Sequence, residues 1–385
     1  MRLVVPKEIL ANERRVAVTP DGVPEYVKLG FEVFVEHDAG IGIYAGDGDY
    51  RAAGATVVSG TAQLFAEADV VLKVKQPERN DTLSRHEAEM IRRDATLVTF
   101  LHPAAPGSHA ILRMLAERRV TAFTMDGIPR ISRAQRMDAL TSMSTVTGYK
   151  SVLLAACRLP TFVPMTATAV GALKPAKVLV VGAGVVGLQA IATAKRLGGV
   201  VSSIDIRPEA REAAGSLGAK VAGFDVPPEL ARGEGGYALA LPPDWLAQER
   251  AALAPLLAET DIVILSALVP GEQAPVLITE EMLHGMRPGS VVVDVSIDQG
   301  GNCALTRPGR ENEVNGVTVM GLQNIPGSVP VHSTRLYATN LLEYMRNLYK
   351  RPGQIDWDDE IVRSSLVIRD GRVVHAGALK AMGQS

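Results

Sequence analysis

The chain has 385 residues, a formal net charge of −2, 47% hydrophobic and 21% charged residues. That length asks for two cores rather than one, and the balanced charge offers no clustered basic face for nucleic acid. Its two cysteines, Cys157 and Cys303, lack the paired spacing of a disulfide framework or a zinc site, so a reducing cytoplasmic compartment and no metal are expected.

The opening "MRLVVPKEILANERR" carries an apolar run too short for an export signal. From there short β-rich runs, "RLVVPKE", "FEVFVEH", "DVVLKVK", "ATLVTFLH" and "VTAFTMD", are separated by helical patterns such as "PDGVPEYVKLG" and "SHAILRMLAERR". In the latter, Ile111, Leu112, Leu115 and Val120 fall on helical spacing. Strands alternating with helices predict crossover units and a parallel sheet.

A helical connection from about Asp138 to Leu159 follows, and the alternation restarts with "KVLVVGAG", "GVVSSIDI", "DIVILSAL", "SVVVDVS" and "VTVMGLQ". The tail "STRLYATNLLEYMRNLY" predicts an amphipathic helix returning to the first domain, and "SSLVIRDGRVVHAG" a hairpin turned by Asp-Gly. The expected fold class is α/β, with two Rossmann-like doubly wound parallel-sheet domains separated by a cleft. The expected boundaries are 1–137 plus 330–385 for the first and 138–329 for the second.

Val178 to Ala194 is uncharged and falls slightly short of the ~20 apolar residues of a membrane span. Gly182, Gly184 and Gly187 interrupt it in GxGxxG order, so it reads as strand, turn and helix. Gly182 permits the tight turn, Gly184 lets the backbone approach a diphosphate, and Gly187 lets helix and strand pack closely. The diphosphate belongs at the helix N-terminus, beside Val185. Asp205 ends the next β-run, where a carboxylate accepts from an adenosine ribose and repels a 2'-phosphate, favouring NAD(H). Ile206 and the cationic Arg207 complete that corner.

Arg15, Lys75, His102 and Asp298 each lie at or just past a β-run. Ligands of open parallel sheets bind beyond the carboxyl ends of strands, where Arg15 and Lys75 would hold a small carboxylate. His102 would act there as a general acid or base held by Asp298. Solvated ion-pair partners and a structural histidine are the plainer alternative.

Over essentially its whole length the sequence resembles the family that groups alanine dehydrogenase with the NAD(H)-binding domain of proton-translocating (Re/Si-specific) nicotinamide nucleotide transhydrogenase. The likeness runs through "PKEILANERRVAVTP", "GAGVVGLQAIATAKRLG", "ALVPGEQAPVLITEEML", "MRPGSVVVDV", "GGNC" and "LYATNLL". "PRISRAQRMDAL" is similar to the transhydrogenase loop that grips the nicotinamide. Carried over, Arg130, Gln135 and Asp138 match that loop, and Thr141 stands where serine is usual. "GGYA" resembles the family's mobile loop, giving Gly236 and Tyr237 as nucleotide contacts, with Leu268 on the adenine side.

The resemblance implies direct hydride transfer between NADH and NADP+ held by a partner subunit. It also implies a homodimer docked peripherally on inner-membrane subunits that carry the NADP(H) domain. Hydride passing between two nicotinamides needs positioning rather than a proton shuttle, which suits a loop of Arg, Gln, Asp and Thr. Without the resemblance that loop is as well explained by helix capping. Arg15, Lys75, His102 and Asp298 match the substrate and acid/base positions of alanine dehydrogenases, so reductive amination of pyruvate is the alternative. A nucleotide-binding regulatory protein is the third reading.

Overall fold

In the strand Arg2–Val5, Leu3 and Val5 enter one apolar core and Val4 another; in Val70–Leu72 the outer two residues join the first and Val71 the second. Successive side chains of a strand point to opposite faces, so a run that is apolar at every position is a strand covered on both sides. The second group of strands repeats this. Val178 and Val180 face one core, Leu179 and Val181 the other.

The structure is a computed structural model that describes residues 1–223, 225–233, 238–269, 273–351 and 353–384. Two units share the chain: Met1–Met143 with Pro326–Ser385, and Ser144–Ile325. The first holds an eight-stranded sheet in the spatial order Arg372–Val373, Leu366–Arg369, Thr121–Thr124, Thr96–Thr99, Val70–Leu72, Arg2–Val5, Glu32–Glu36, Thr56–Val58. The last six of these are parallel, and the first two form an antiparallel edge. That edge is the expected hairpin, turned at Asp370 and Gly371 with φ of 51° and 75°.

The second unit holds a seven-stranded sheet ordered Lys220–Ala222, Val200–Ile204, Lys177–Val181, Ile262–Leu265, Val291–Asp294, Val317–Met320, Glu311–Val314, antiparallel only at its last pair. In both sheets the parallel strands run 3-2-1-4-5-6 in chain order, the doubly wound arrangement whose switch point lies between strands 1 and 4. Each unit is therefore Rossmann-like, as the sequence pattern predicts.

The long helix Pro330–Leu348 covers the first sheet through Tyr337, Leu341, Tyr344, Met345 and Leu348, all fully buried. Burying each such leucine is worth about 1.5–3 kcal/mol against leaving it exposed. The predicted connection forms as the helix Ala139–Arg158. Within the second unit, its Gly148 leaves no room for a side chain: a β-carbon there would meet the Val186 carbonyl oxygen at 2.2 Å. Among the described residues no helix is long and apolar enough to cross a membrane.

Candidate functional site

The glycine turn leaves the strand Lys177–Val181 at the switch point of the second sheet and enters the helix Val185–Arg196. Gly182 has φ +88°, and a β-carbon on it would sit 2.8 Å from the Ser266 carbonyl carbon and oxygen. At Gly187 it would lie 1.9 Å from the Gly182 carbonyl oxygen, so strand and helix touch backbone to backbone. Gly184 is different. Its φ of −74° suits any residue, and among the described residues a β-carbon would find only Arg207 Nη2, at 4.0 Å. Among those residues no backbone crowds Gly184 before the helix N-terminus, which is the cradle a diphosphate needs.

Asp205, just past the strand Val200–Ile204, is 7% exposed and fastens this turn: its Oδ2 accepts from Ala183 N at 2.7 Å. Arg207 occupies the rest of the carboxylate, donating from its backbone N (2.8 Å) and Nε (3.0 Å) to Oδ1 and from Nη2 (2.8 Å) to Oδ2. The expected ribose acceptor is therefore already fully engaged by the chain's own donors. Ile206 is buried in a cluster with Val226 and Ala231, and Leu268 is half-buried after the strand Ile262–Leu265. Gly236 and Tyr237 lie outside the described residues.

Two residues that the sequence reading left out hold the neighbouring loops. Buried Asn302 donates from Nδ2 to the carbonyls of Ala267 (2.9 Å) and Pro275 (2.8 Å) and accepts from Ala267 N at 3.1 Å. Asp294 accepts from the backbone N of Ser296 (3.1 Å), Asn302 (2.8 Å) and Cys303 (3.0 Å) and from Thr306 Oγ1 (3.0 Å). Burial nonetheless pushes the Asp294 carboxyl up against those four donors. Asp298, exposed, accepts from Gln323 Nε2 at 2.6 Å.

In the first unit, charged groups gather past the carboxyl ends of the strands. Arg15 is 2% exposed and gripped by Glu13, Nε to Oε1 at 2.8 Å and Nη2 to Oε2 at 2.5 Å, with Nη1 3.0 Å from Met143 Sδ. His102 adopts φ +46°, a left-handed backbone that is costly outside glycine and concentrates at functional sites. Its Nδ1 is 2.8 Å from Asp126 Oδ1, and its backbone N donates to Asp126 Oδ2 at 2.8 Å. The carboxylate on His102 Nδ1 is thus Asp126, a partner that the sequence reading did not single out. Sheet order explains this, because Thr96–Thr99 and Thr121–Thr124 are adjacent parallel strands and their ends meet. Burial alone would raise the Asp126 carboxyl, but the charge and hydrogen bonds of His102, with Thr124, hold it at about 2.

Tyr337 ties into this group: its hydroxyl donates to the Lys73 carbonyl at 2.7 Å and its ring lies 5.2 Å from Phe100, which in turn stacks on His102 at 5.8 Å. Lys75 is half-buried, and its backbone N donates to Glu8 Oε1 at 3.4 Å. The buried lysine here is its neighbour Lys73, 1% exposed, with Nζ 3.2 Å from Glu8 Oε2 and 3.1 Å from Glu87 Oε2. Burial would strip its proton, yet the two carboxylates outweigh burial and hold the ammonium above the ordinary lysine value.

The candidate nicotinamide loop is pinned from below. Ala134 and Met137 are buried in the first core, Arg133 pairs with Asp359 (2.9 Å) and Glu360 (3.3 Å), and Arg136 pairs with Glu343 (3.2 Å). Arg130 and Gln135 are exposed. Asp138 and Thr141 come together as a helix cap: Thr141 N donates to Oδ1 at 2.8 Å and Thr141 Oγ1 to Oδ2 at 2.6 Å. Elsewhere, His37, Asp38 and Asp47 meet at the surface as an ion-paired turn, His37 Nδ1 to Asp47 Oδ2 at 2.6 Å.

Profiles described as "Alanine dehydrogenase/PNT, N-terminal domain" and "Alanine dehydrogenase/PNT, C-terminal domain" match residues 4–147 and 151–376. The chain is 41% identical over 379 residues to a Rhodospirillum rubrum protein named as the first portion of NAD(P) transhydrogenase subunit alpha, covering 97% of this chain and 98% of that one. It is 33% identical to an alanine dehydrogenase of Halomonas elongata, covering 100% of this chain and 97% of the other. A crystal structure of a transhydrogenase from Sinorhizobium meliloti superposes with a TM-score of 0.83 at 38% identity, covering 98% and 99% of the two chains.

Proposed function

The chain belongs to the alanine dehydrogenase/PNT family, and from that premise we propose that it is the NAD(H)-binding alpha subunit of a proton-translocating transhydrogenase. It passes hydride between NADH and NADP+ bound on a partner subunit. It acts as a homodimer in the cytoplasm, held at the inner membrane by partner subunits that carry the NADP(H) domain. The observation that carries this reading is the 41% whole-length identity to a transhydrogenase alpha subunit, against 33% to an alanine dehydrogenase.

NAD(H), when bound, supplies the hydride; the chain supplies position. The N-terminus of the helix Val185–Arg196 and the open face of Gly184 hold the diphosphate. Asp205 takes the adenosine ribose, with the Arg207 guanidinium shared or displaced as the hydroxyls arrive. Val185, Ile206, Gly236, Tyr237 and Leu268 line the nucleotide. Arg130 and Gln135, exposed on a firmly held loop, orient the nicotinamide, and Asp138 and Thr141 fix the loop's exit as well as its ligand side.

A second reading, alanine dehydrogenase, is favoured by the His102–Asp126 pair with Arg15 and Lys75, since a histidine oriented by a carboxylate is what a proton shuttle needs. In that chemistry Asp298 is the remaining acid group. One assay separates the two. The purified chain is incubated with NADH, pyruvate and ammonium, beside a mixture with a transhydrogenase NADP(H)-binding domain and a nicotinamide analogue as acceptor. Turnover is expected only in the mixture; turnover with pyruvate and ammonium alone, abolished in His102→Ala, replaces the reading with alanine dehydrogenase.

Asp205→Ala removes both the ribose acceptor and the tie to Ala183 N. It is expected to weaken NADH binding by about 10- to 100-fold, the worth of one or two charge-assisted hydrogen bonds. Calorimetric titration with unchanged affinity would remove Asp205 from the site.

A further inference from the structure

The helix Pro243–Leu257 packs on the ribose corner with one stripe of side chains at i, i+4 and i+8. Trp245 joins the cluster of Ile206, while Leu253 lies in the cluster of Ile204. Midway between them on that stripe is Glu249, so the face of the helix that meets the clusters of Ile206 and Ile204, the two chain neighbours of Asp205, carries a carboxyl. Glu249 is 6% exposed on a stripe whose other buried members, Leu253 and Leu257, are apolar. A carboxyl so far withdrawn from water is not placed there by helix packing, which an apolar residue would serve better.

We propose that Glu249 is a specificity-determining residue of the adenosine-ribose pocket: a second carboxyl beside Asp205 whose negative charge, when ionised, weighs against the 2'-phosphate of NADP(H). The inference rests on the reading of Asp205 as the ribose acceptor. Asp205 and Arg207 neutralise each other in their paired state, and a guanidinium at this strand end is the usual means of accepting a 2'-phosphate. Arg207 alone would therefore leave the pocket permissive. An ionised Glu249 tips it negative, with Glu209 adding to the acid side near Arg207 and Arg250, whose Nε and Nη2 donate to the Val276 carbonyl at 2.9 and 2.6 Å, offsetting it in part. Burial first, and the charge of Asp205 second, push the Glu249 carboxyl up to about 7, with Arg250 acting the other way. The discrimination is thus strong above neutrality and relaxes below it, as Glu249 takes up a proton.

The test is titration of wild-type chain and Glu249→Gln with NADH and with NADPH at pH 6 and pH 8.5, reading the ratio of the two dissociation constants. Glutamine keeps the shape and the helix propensity. At pH 8.5 the preference for NADH is expected to be about tenfold smaller in the variant, a gap set by one charge across a partly screened site. At pH 6 the two proteins should agree. The 2'-phosphate titrates on its own near pH 6, but it does so equally against both proteins and drops out of the comparison. An identical ratio at pH 8.5 overturns the role of Glu249 while leaving NADH binding intact. Wild-type chain that binds neither nucleotide overturns the pocket itself, and Glu249 with it.

Discussion

Lys73→Met is expected to cost about 3–5 kcal/mol of folding stability at pH 8, because it leaves two carboxylates buried without their cation. Lys73 is 1% exposed, and Glu8 and Glu87 are 8% and 0% exposed. Glu8 spends Oε1 on Val74 N at 2.6 Å, and Glu87 spends Oε2 on Glu78 N at 2.9 Å, so neither can turn to water without unfastening backbone. A loss of that size is a large part of the roughly 5–15 kcal/mol that holds a domain together. The loss should also depend on pH in a definite direction. Burial, partly offset by Lys73, already raises the Glu8 carboxyl to about 7. An acid raised in the folded state contributes stability at low pH that is lost as pH climbs through its folded value. The variant should therefore lie closest to wild type near pH 5 and furthest from it at pH 8. Urea denaturation at both pH values measures this, with the triple variant Glu8→Gln, Lys73→Met, Glu87→Gln as the control that removes the stranded charges. The triple variant should recover most of the loss; a single variant costing under about 1 kcal/mol at pH 8 would mean the cluster is not held as an ion triad.

This triad was invisible in the sequence, and the reason is physical. "VLKVK" shows two lysines, and the one that looks functional is Lys75; nothing local marks Lys73 as buried until the sheet brings Glu8 and Glu87 to it. Asp126 escaped for the same reason. Its partnership with His102 exists only because two strands lie side by side, a fact of strand order rather than of spacing. Features whose cause is local were legible. The apolar runs became strands, the Asp-Gly turn became a hairpin, and the GxGxxG became a turn between strand and helix, since each depends on backbone sterics within a few residues. The Asp138 and Thr141 pair sits between these cases. Its capping geometry is local and was foreseeable, whereas the ligand role drawn from the resemblance depends on what lies opposite the loop.

The glycines of the turn yield the sharpest separation of fold from function. Gly187→Ala forces a methyl to 1.9 Å from the Gly182 carbonyl oxygen and 2.9 Å from its carbon, both backbone atoms that cannot rotate away. The helix Val185–Arg196 must back off the sheet, so this variant should lose about 1–3 kcal/mol or more, and NADH binding with it. Gly184→Ala has no such conflict. Its backbone is already in a region open to alanine and, among the described residues, its nearest foreign atom is the far end of a side chain at 4.0 Å, so the folded state should survive at wild-type stability, or gain up to about 1 kcal/mol from a stiffer unfolded chain. Yet that methyl projects into the space where a diphosphate must come against the helix N-terminus, and keeping the anion even slightly off the free N–H groups forfeits their hydrogen bonds and most of the dipole's pull. NADH affinity should therefore fall by at least about 30-fold, some 2 kcal/mol, in a protein whose melting temperature has not fallen. Thermal melting and calorimetry on the same preparation decide it. Normal folding with normal NADH affinity in Gly184→Ala would mean that no phosphate rests on this turn, and the open cradle before Val185 would have to be explained as packing alone.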